Sequence, residues 1–577
     1  MLEELLESIL QKYDMLHSPI QKTFLRRLDE IPSEQKIGIR GSMPRMTKIL
    51  DYIPDKSKIK GLYDKDLKSV NQEIEGFKIK HADFIEKDSV DIAIIAHYNY
   101  KEEIMKELED KNIKAIDIYQ DFTKLYGIEI TDFTYIEYNI IFRLKELYLK
   151  EQKTDQKQYY LKELINQYLH IKDFKYAINF IKEYIVLRYD NYHLFESLLV
   201  ELNDFLLTVK REIAKKSKGQ DISLFLLDGL KAKDVYGAEH DGTSIMKNLA
   251  KLSNENKHFT QAFSPSTFTR EVITVILNEK HILYEDSELT NVELKDSMWI
   301  RNLIKKRYKL FINLMKNIIG PNDHFHNVKL NKPKYKTAPE TFWELLIELY
   351  SIEEDSLFSF NHLYCESHEP YFCGNHSLKP FNINLTDIKT LNDQERKNIL
   401  TQRRESLIYL DEQLEYFFDF LPNNHSIIVF SDHGAPDLDR NDSSRYECKE
   451  SNIHVPLIVK SEYLNTERED KLFSTIDLGK LILNLVNRKD TITSERHFVE
   501  IQLEPIYNKD IKNKLIKQGQ SKLTSGFRAI RGKKDKYILW GDGTEEYYLI
   551  SDESNNLIKS ESYEDRIKCL KSKTDFI

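Results

Sequence analysis

Cysteine is scarce in this chain. Four residues in 577, Cys365, Cys373, Cys448 and Cys569, are scattered with no Cys-x-x-Cys pair. That spacing excludes a disulfide scaffold and a zinc knuckle. No window approaches the ~20 consecutive apolar residues of a membrane-spanning helix. The opening stretch MLEELLESILQKYDML is an acidic amphipathic helix without the basic start and apolar core of a secretion signal. The expected compartment is therefore the cytoplasm, or the inner face of a membrane through a partner. No basic stripe marks a nucleic-acid surface, and a net charge of −9 is modest for this length. What is present is 41% hydrophobic and 31% charged residues, the composition of a soluble globular chain with core material for several domains.

After N-terminal helices in residues 1–34, strand and helix signals alternate through residues 35–130. Strands are expected at Lys36–Ile39, Ile59–Tyr63, Val90–His97 and Lys114–Tyr119, with helices at Met46–Tyr52 and Tyr100–Asp110. This β-α-β pattern implies a small parallel sheet. The segment resembles the small Rossmann-like domain of sugar-modifying enzymes, with IKGLYDKD resembling their second strand. The turn reads IRGSMPRM, one glycine where a dinucleotide fingerprint needs three. A nucleotide-sugar-binding role and a purely docking role both stand for this domain. Residues 131–217 turn helical. YLKELINQYLHIKDFKYAINFIKEYIVLRY places apolar residues every three or four positions, with a turn at His170–Asp173. The pair is TPR-like without a repeat, and this helical spacer is a candidate surface for a protein partner.

The alternation resumes with Ile222–Leu227. That apolar strand ends in Asp228, and the apolar run Ile427–Phe430 ends in Ser431-Asp432-His433-Gly434. Runs of this kind are central strands covered on both faces, and ligands sit beyond the carboxyl ends of such strands. If the two strands are parallel neighbours, Asp228, Asp432 and His433 share one edge. Two carboxylates and an imidazole without a basic partner repel unless a cation sits among them, and their donors suit a divalent ion. The plainer reading is that each Asp caps the next helix or turn. Thr269 precedes the apolar helical run Val272–Leu277, where it is either a helix cap or, beside a metal and an anion-attracting helix start, a nucleophile.

LLDGLKAKD, SPSTFTRE, SDHG and HVPLIV, in this order and rough spacing, resemble the alkaline phosphatase/sulfatase superfamily, in particular its sulfatase-like hydrolases and transferases. DSMWIRNLIKKRYKL is similar to the family's helix ending in a glycine-tyrosine turn, with Arg307 in place of the glycine. FSFNHLYCESHEPY resembles its strand ending in a His-x-Pro-Tyr turn. RRESLIYLDEQLEYFFDFL resembles the amphipathic helix before SDHG, with Leu407, Leu410, Leu414 and Phe417 on one face. GFRAIRGKKDKYILWGDGTEEYYLISDESNNLI resembles the C-terminal strand pair. The similarity covers about residues 218 to 560.

This resemblance implies a mixed or parallel α/β sheet flanked by helices, with a catalytic domain at 218–490 and a β-rich subdomain at 491–577. By position it implies metal ligation by Asp228, Thr269, Asp432 and His433, one or two ions of zinc, manganese or calcium, and Thr269 as nucleophile. Thr267 is the rival nucleophile, because SPST and TFTRE align in two ways. Arg270 is the candidate substrate-binding residue. His368 and His454 match histidines that bind the transferred group, assist the leaving group or ligate a second metal. Two departures stand out. Threonine replaces the cysteine or serine that sulfatases oxidise to an aldehyde hydrate, and Asp228 is followed by Gly229 where sulfatases carry a second aspartate. A threonine nucleophile resembles the phosphoethanolamine, phosphoglycerol and phosphodiester branches. The expected activity is thus transfer or hydrolysis of a phospho ester, less so a sulfo ester, through a covalent threonine intermediate on a small-molecule or glycan substrate such as a surface-glycan precursor. An inactive phosphatase-like scaffold is the alternative from another class.

Overall fold

The computed structural model describes the chain except residues 1, 68, 128–129, 131–134, 218–220, 238–242, 282–291, 315–317, 321–324, 332–334, 354–355, 378–390, 439–443, 490–495 and 575–577. The domain boundaries expected at 131, 218 and 490 lie outside the described residues. Two compact units form, one chiefly from Met1–Thr208 and the other chiefly from the residues after it.

The first unit holds a six-stranded sheet of β1 (Ile37–Gly41), β2 (Ile59–Asp64), β3 (Glu73–Ile74), β4 (Phe77–His81), β5 (Ile92–Ala96) and β6 (Lys114–Ile116), in the order β3-β4-β2-β1-β5-β6. All pairs are parallel except β3–β4. The expected strands and helices are present with ends shifted by a few residues, the usual error where caps rather than periodicity set the boundary. The β3–β4 hairpin has no expected counterpart. It lies in EIEGFKIKH, where apolar and polar residues alternate on either side of Gly76 but over only three to four positions each. The helices Thr154–His170 and Phe174–Val186 follow, joined where the turn is expected. Asp173 caps the second, accepting from Tyr176 N at 3.1 Å.

The second unit is built on an eight-stranded mixed sheet flanked by helices. Its strands are β7 (Ile222–Leu227), β8 (Lys257–Phe259), β10 (Tyr308–Asn313), β11 (Val328–Leu330), β12 (Ser356–Leu363), β13 (Ser426–Phe430), β14 (Leu457–Lys460) and β15 (Arg468–Glu469). They run β11-β10-β12-β7-β13-β14-β8-β15, while β9 (Ala262–Phe263) pairs with β16 (Phe473–Ser474) apart from them. β7 is buried along its whole length and pairs in parallel with β12 and β13. A strand between two others, covered on both faces, is where a continuous apolar run belongs. Leu407, Leu410, Leu414 and Phe417 of the helix Asp393–Phe418 are all buried, which fits the single apolar face.

C-terminal to this sheet, β17 (Val499–Leu503), β18 (Phe527–Arg531), β19 (Asp535–Trp540) and β20 (Glu545–Leu549) form an antiparallel sheet. Cys365, Cys373 and Cys448 are buried and Cys569 is exposed. Among the described residues no helix is long and apolar enough to cross a membrane.

The helix Met298–Lys305 is capped by Lys306 and followed by Arg307, whose φ of 62° lies in the left-handed region. This is a position for glycine at a helix end, so the arginine sits in a glycine's conformation.

Candidate metal and nucleophile site

The pairing of β12, β7 and β13 sets three carboxyl ends side by side. β7 delivers Asp228, β13 delivers Asp432 and His433, and β12 delivers His362 near its end. Asp228, Asp432 and His433 are buried, and one ligand atom from each lies within 4.8 Å of the others. Thr269 opens the helix Thr269–Asn278 as its first residue; the cap is Phe268, which makes no side-chain cap bond. The threonine is therefore not the capping residue. Its hydroxyl donates to Asp228 Oδ2 at 3.1 Å and lies 3.3 Å from His433 Nε2.

The second atom of each group is held by the surrounding chain. Asp432 Oδ1 accepts from Gly229 N at 3.2 Å and His433 N at 2.9 Å. Gly229 adopts φ 73°, a conformation that side-chain-bearing residues rarely take, so glycine rather than a second aspartate suits this turn. His433 Nδ1 donates to Gly434 O at 2.7 Å, which leaves Nε2 turned to the cluster with its lone pair free. Gly434 itself could not carry a Cβ, because the Ser451 carbonyl oxygen would lie 2.0 Å from it. Asp228 Oδ1 and Asp432 Oδ2 have no hydrogen-bond partner. Two orphaned, buried carboxylate oxygens beside an outward-turned imidazole nitrogen fit a divalent cation.

His362 is the residue that sequence reasoning missed. Its Nε2 donates to Asp228 Oδ2 at 2.9 Å, and both side chains are fully buried. The available signal was the parallel register of β12 with β7, which only pairing reveals. Burial opposes the charge of Asp228, but His368, the His362 hydrogen bond and His433 outweigh it and hold this carboxyl well below its ordinary range.

His368 lies close by. Its Nε2 is 3.9 Å from Asp228 Oδ1, its Nδ1 donates to Glu369 O at 2.8 Å, and its ring stacks on Tyr364. Arg445 Nη1 reaches Glu369 Oε1 at 2.8 Å. Burial raises the Glu369 carboxyl, but Arg445 and His368 hold it below its usual value. His454 is not part of the three-residue cluster. Its Nε2 donates to Thr260 O at 2.8 Å and its ring stacks on Phe263. Arg270, half-buried, follows Thr269 in the helix. Thr267 is buried, and its hydroxyl has no hydrogen-bond partner.

A small cleft opens beside the cluster, lined by His433, His368, Thr267, Arg445 and Asn452 among others.

The α/β sheet thus sets acidic and imidazole groups at the carboxyl ends of its central strands, facing a hydroxyl at a helix start. Residues 220–487, just under half of the chain, match the family model described as Sulfatase. A search of curated proteins finds no match. Similar solved structures include a 2-O GAG sulfatase, 13% identical over 61% of this chain and 90% of that one, with a TM-score of 0.48. The phosphonate monoester hydrolase from Silicibacter pomeroyi is 12% identical over 61% and 94%, with a TM-score of 0.47. A protein in the alkaline phosphatase superfamily from Vibrio parahaemolyticus is 14% identical over 63% and 93%, with a TM-score of 0.41.

Proposed function

We propose that this protein is a metal-dependent hydrolase or transferase that cleaves a phospho ester through a covalent intermediate on Thr269. The observation that carries this reading is the convergence of Asp228, Asp432 and His433 on the Thr269 hydroxyl at the start of a helix. Asp228, Asp432, His433 and Thr269 would hold a divalent ion, whose charge lowers the pKa of a neighbouring hydroxyl and offsets negative charge developing on the phosphoryl oxygens. Phosphate is favoured over sulfate because threonine has no route to the aldehyde hydrate used by sulfatases.

The free N–H groups and dipole of the Thr269–Asn278 helix attract the phosphoryl group. Thr269 Oγ attacks phosphorus, releases its proton to water and forms a Thr–O–P bond as the P–O bond to the alcohol breaks. His368 donates a proton to the departing oxygen. Water or a second hydroxyl then cleaves the phosphothreonine, giving phosphate or a transferred phospho group. His362 positions the Asp228 carboxylate through its hydrogen bond.

The test is turnover of aryl phosphate monoesters, phosphodiesters, phosphonates and sulfates with several divalent ions. Phosphorus esters should turn over, with Thr269→Ala lowering kcat by more than about 1000-fold. Turnover of sulfate esters alone refutes the phosphoester assignment. A dead Thr267→Ala beside an active Thr269→Ala moves the nucleophile, and a folded protein that takes up no metal supports a scaffold instead.

A further inference from the structure

The helical part of the first unit holds a cavity of about 140 Å³. It is bounded by the helices Thr154–His170, Phe174–Val186 and Tyr192–Lys216 and by the turn after the helix Leu2–Lys12. Every lining residue belongs to Met1–Thr208, so this unit forms the cavity by itself. Native interiors leave few voids larger than a water molecule. An apolar cavity of ~150 Å³ is large enough to take up benzene.

The floor is apolar. Met15, Tyr184, Phe195 and Leu198 line it, and all four are buried. The rings of Tyr184 and Phe195 stack, with centroids 3.8 Å apart and planes at 20°, which fixes both side chains. The turn that carries Met15 is pinned from two sides. Met15 N donates to Leu10 O at 2.8 Å, and His170 Nε2 donates to Met15 O at 2.9 Å. Walls held in this way do not close over the space.

The polar groups at the mouth are already engaged. Gln158 Nε2 donates to Asp190 O, and Asp190 N donates to Gln158 Oε1, both at 3.3 Å. Tyr184 Oη donates to Asp190 O at 2.9 Å. Lys162 Nζ pairs with Asp14 Oδ2 at 3.1 Å.

These features restrict the ligand. The mouth carries both signs of charge, Lys162 and Asp190, so an ion entering it gives up hydration for little net attraction. A sugar would set its hydroxyls against the hydrocarbon of Met15, Phe195 and Leu198. One aromatic ring suits the volume and meets ring edges and a methionine sulfur, both favourable contacts. The mouth also favours a free molecule over a side chain inserted by a partner. Gln158, Lys162, Asp190 and Asn191 make it polar, with Leu194 the one exposed apolar residue of the lining. A docked polypeptide would need an apolar surface around the inserted residue.

We infer that this cavity is a binding site for a small uncharged aromatic molecule, one six-membered ring with a short substituent. The inference does not depend on the phosphoester reading.

Benzyl alcohol, phenylacetate, benzylamine and 2-naphthalenemethanol are titrated into the full chain and followed by ligand-observed NMR, with melting curves in parallel. Benzyl alcohol should bind with a Kd of about 1 mM or below, the affinity of a well-buried fragment, and should raise the melting temperature. Phenylacetate and benzylamine should each bind at least about 5-fold more weakly, and the two-ring alcohol should not bind. Leu198→Phe puts extra carbon into the cavity. It should raise the melting temperature of the unliganded protein and weaken benzyl alcohol by at least about 10-fold. Failure of the wild-type chain to bind benzyl alcohol overturns the site, as does a charged analogue that binds equally well or undiminished binding by folded Leu198→Phe. Binding of a capped glycine-phenylalanine-glycine peptide without binding of benzyl alcohol also overturns it, in favour of a docking pocket for a partner. If Leu198→Phe does not fold, the four ligands on the wild-type chain decide the matter alone.

Discussion

Replacing Asp432 with asparagine should stabilise the metal-stripped protein and destabilise the loaded one. The backbone contacts of this residue survive the change. Oδ1 of an asparagine can still accept from Gly229 N and His433 N, which now bind Asp432 Oδ1. The atom that changes is Oδ2, which has no hydrogen-bond partner. With no ion bound, Asp228 and Asp432 place two negative charges within 4.8 Å in a buried site. At an effective dielectric of ~20, two unit charges at that separation repel by roughly 3 kcal/mol. The three nearby histidines offset part of this, which leaves about 1–3 kcal/mol. At about 2 °C per kcal/mol for a large unit, the chelated variant should melt about 2–6 °C above the chelated wild type.

With an ion bound the sign reverses, because the variant has lost a charged ligand. Its affinity for zinc, manganese or calcium should fall by more than about 100-fold, and the melting rise on adding metal should shrink with it. Melting curves of both proteins in EDTA and across a titration of each ion decide the matter. If Asp432→Asn lowers the melting temperature equally with and without metal, the carboxylate is a structural cap and the metal-site argument fails.

Arg307→Gly should raise stability by about 0.5–1 kcal/mol, because it removes a side chain from a left-handed residue, φ 62°, at an exposed helix end; an unchanged or lowered denaturation midpoint contradicts this. Burial, with Lys460 nearby, pushes His425 down to about 3, and its Nε2 lies 2.8 Å from Ser223 Oγ. The folded protein keeps this ring neutral while the unfolded chain protonates it below ~6.5, so its contribution is complete above that pH and is lost as pH falls toward 3. Between pH 7 and pH 5 the loss is about 2 kcal/mol, and His425→Asn should weaken the pH dependence of urea denaturation by that amount. Equal pH dependence in the two proteins refutes the assignment.

Much of this molecule is determined by local pattern. The uninterrupted apolar runs at Ile222–Leu227 and Ile427–Phe430 demand cover on both faces, so β7 and β13 are central strands, and the polar residues that end them stand at an open edge. The three- and four-residue spacing of Leu407, Leu410, Leu414 and Phe417 marks the buried face of its helix for the same reason. The choice between Thr267 and Thr269 was not local, because either threonine can precede the same apolar helix. Where the backbone turns into that helix, and which hydroxyl then meets Asp228, depends on β7 and β13 lying side by side. His362 escaped notice because a histidine inside a strand has a partner only once another strand pairs with it. The unmatched oxygen of Asn452 was equally hidden, since a polar atom is left over only after folding has used its neighbours. Periodicity and burial are carried by adjacent residues, whereas a metal cluster and an unfilled hydrogen bond are properties of distances between segments up to about two hundred residues apart, and only tertiary packing determines those.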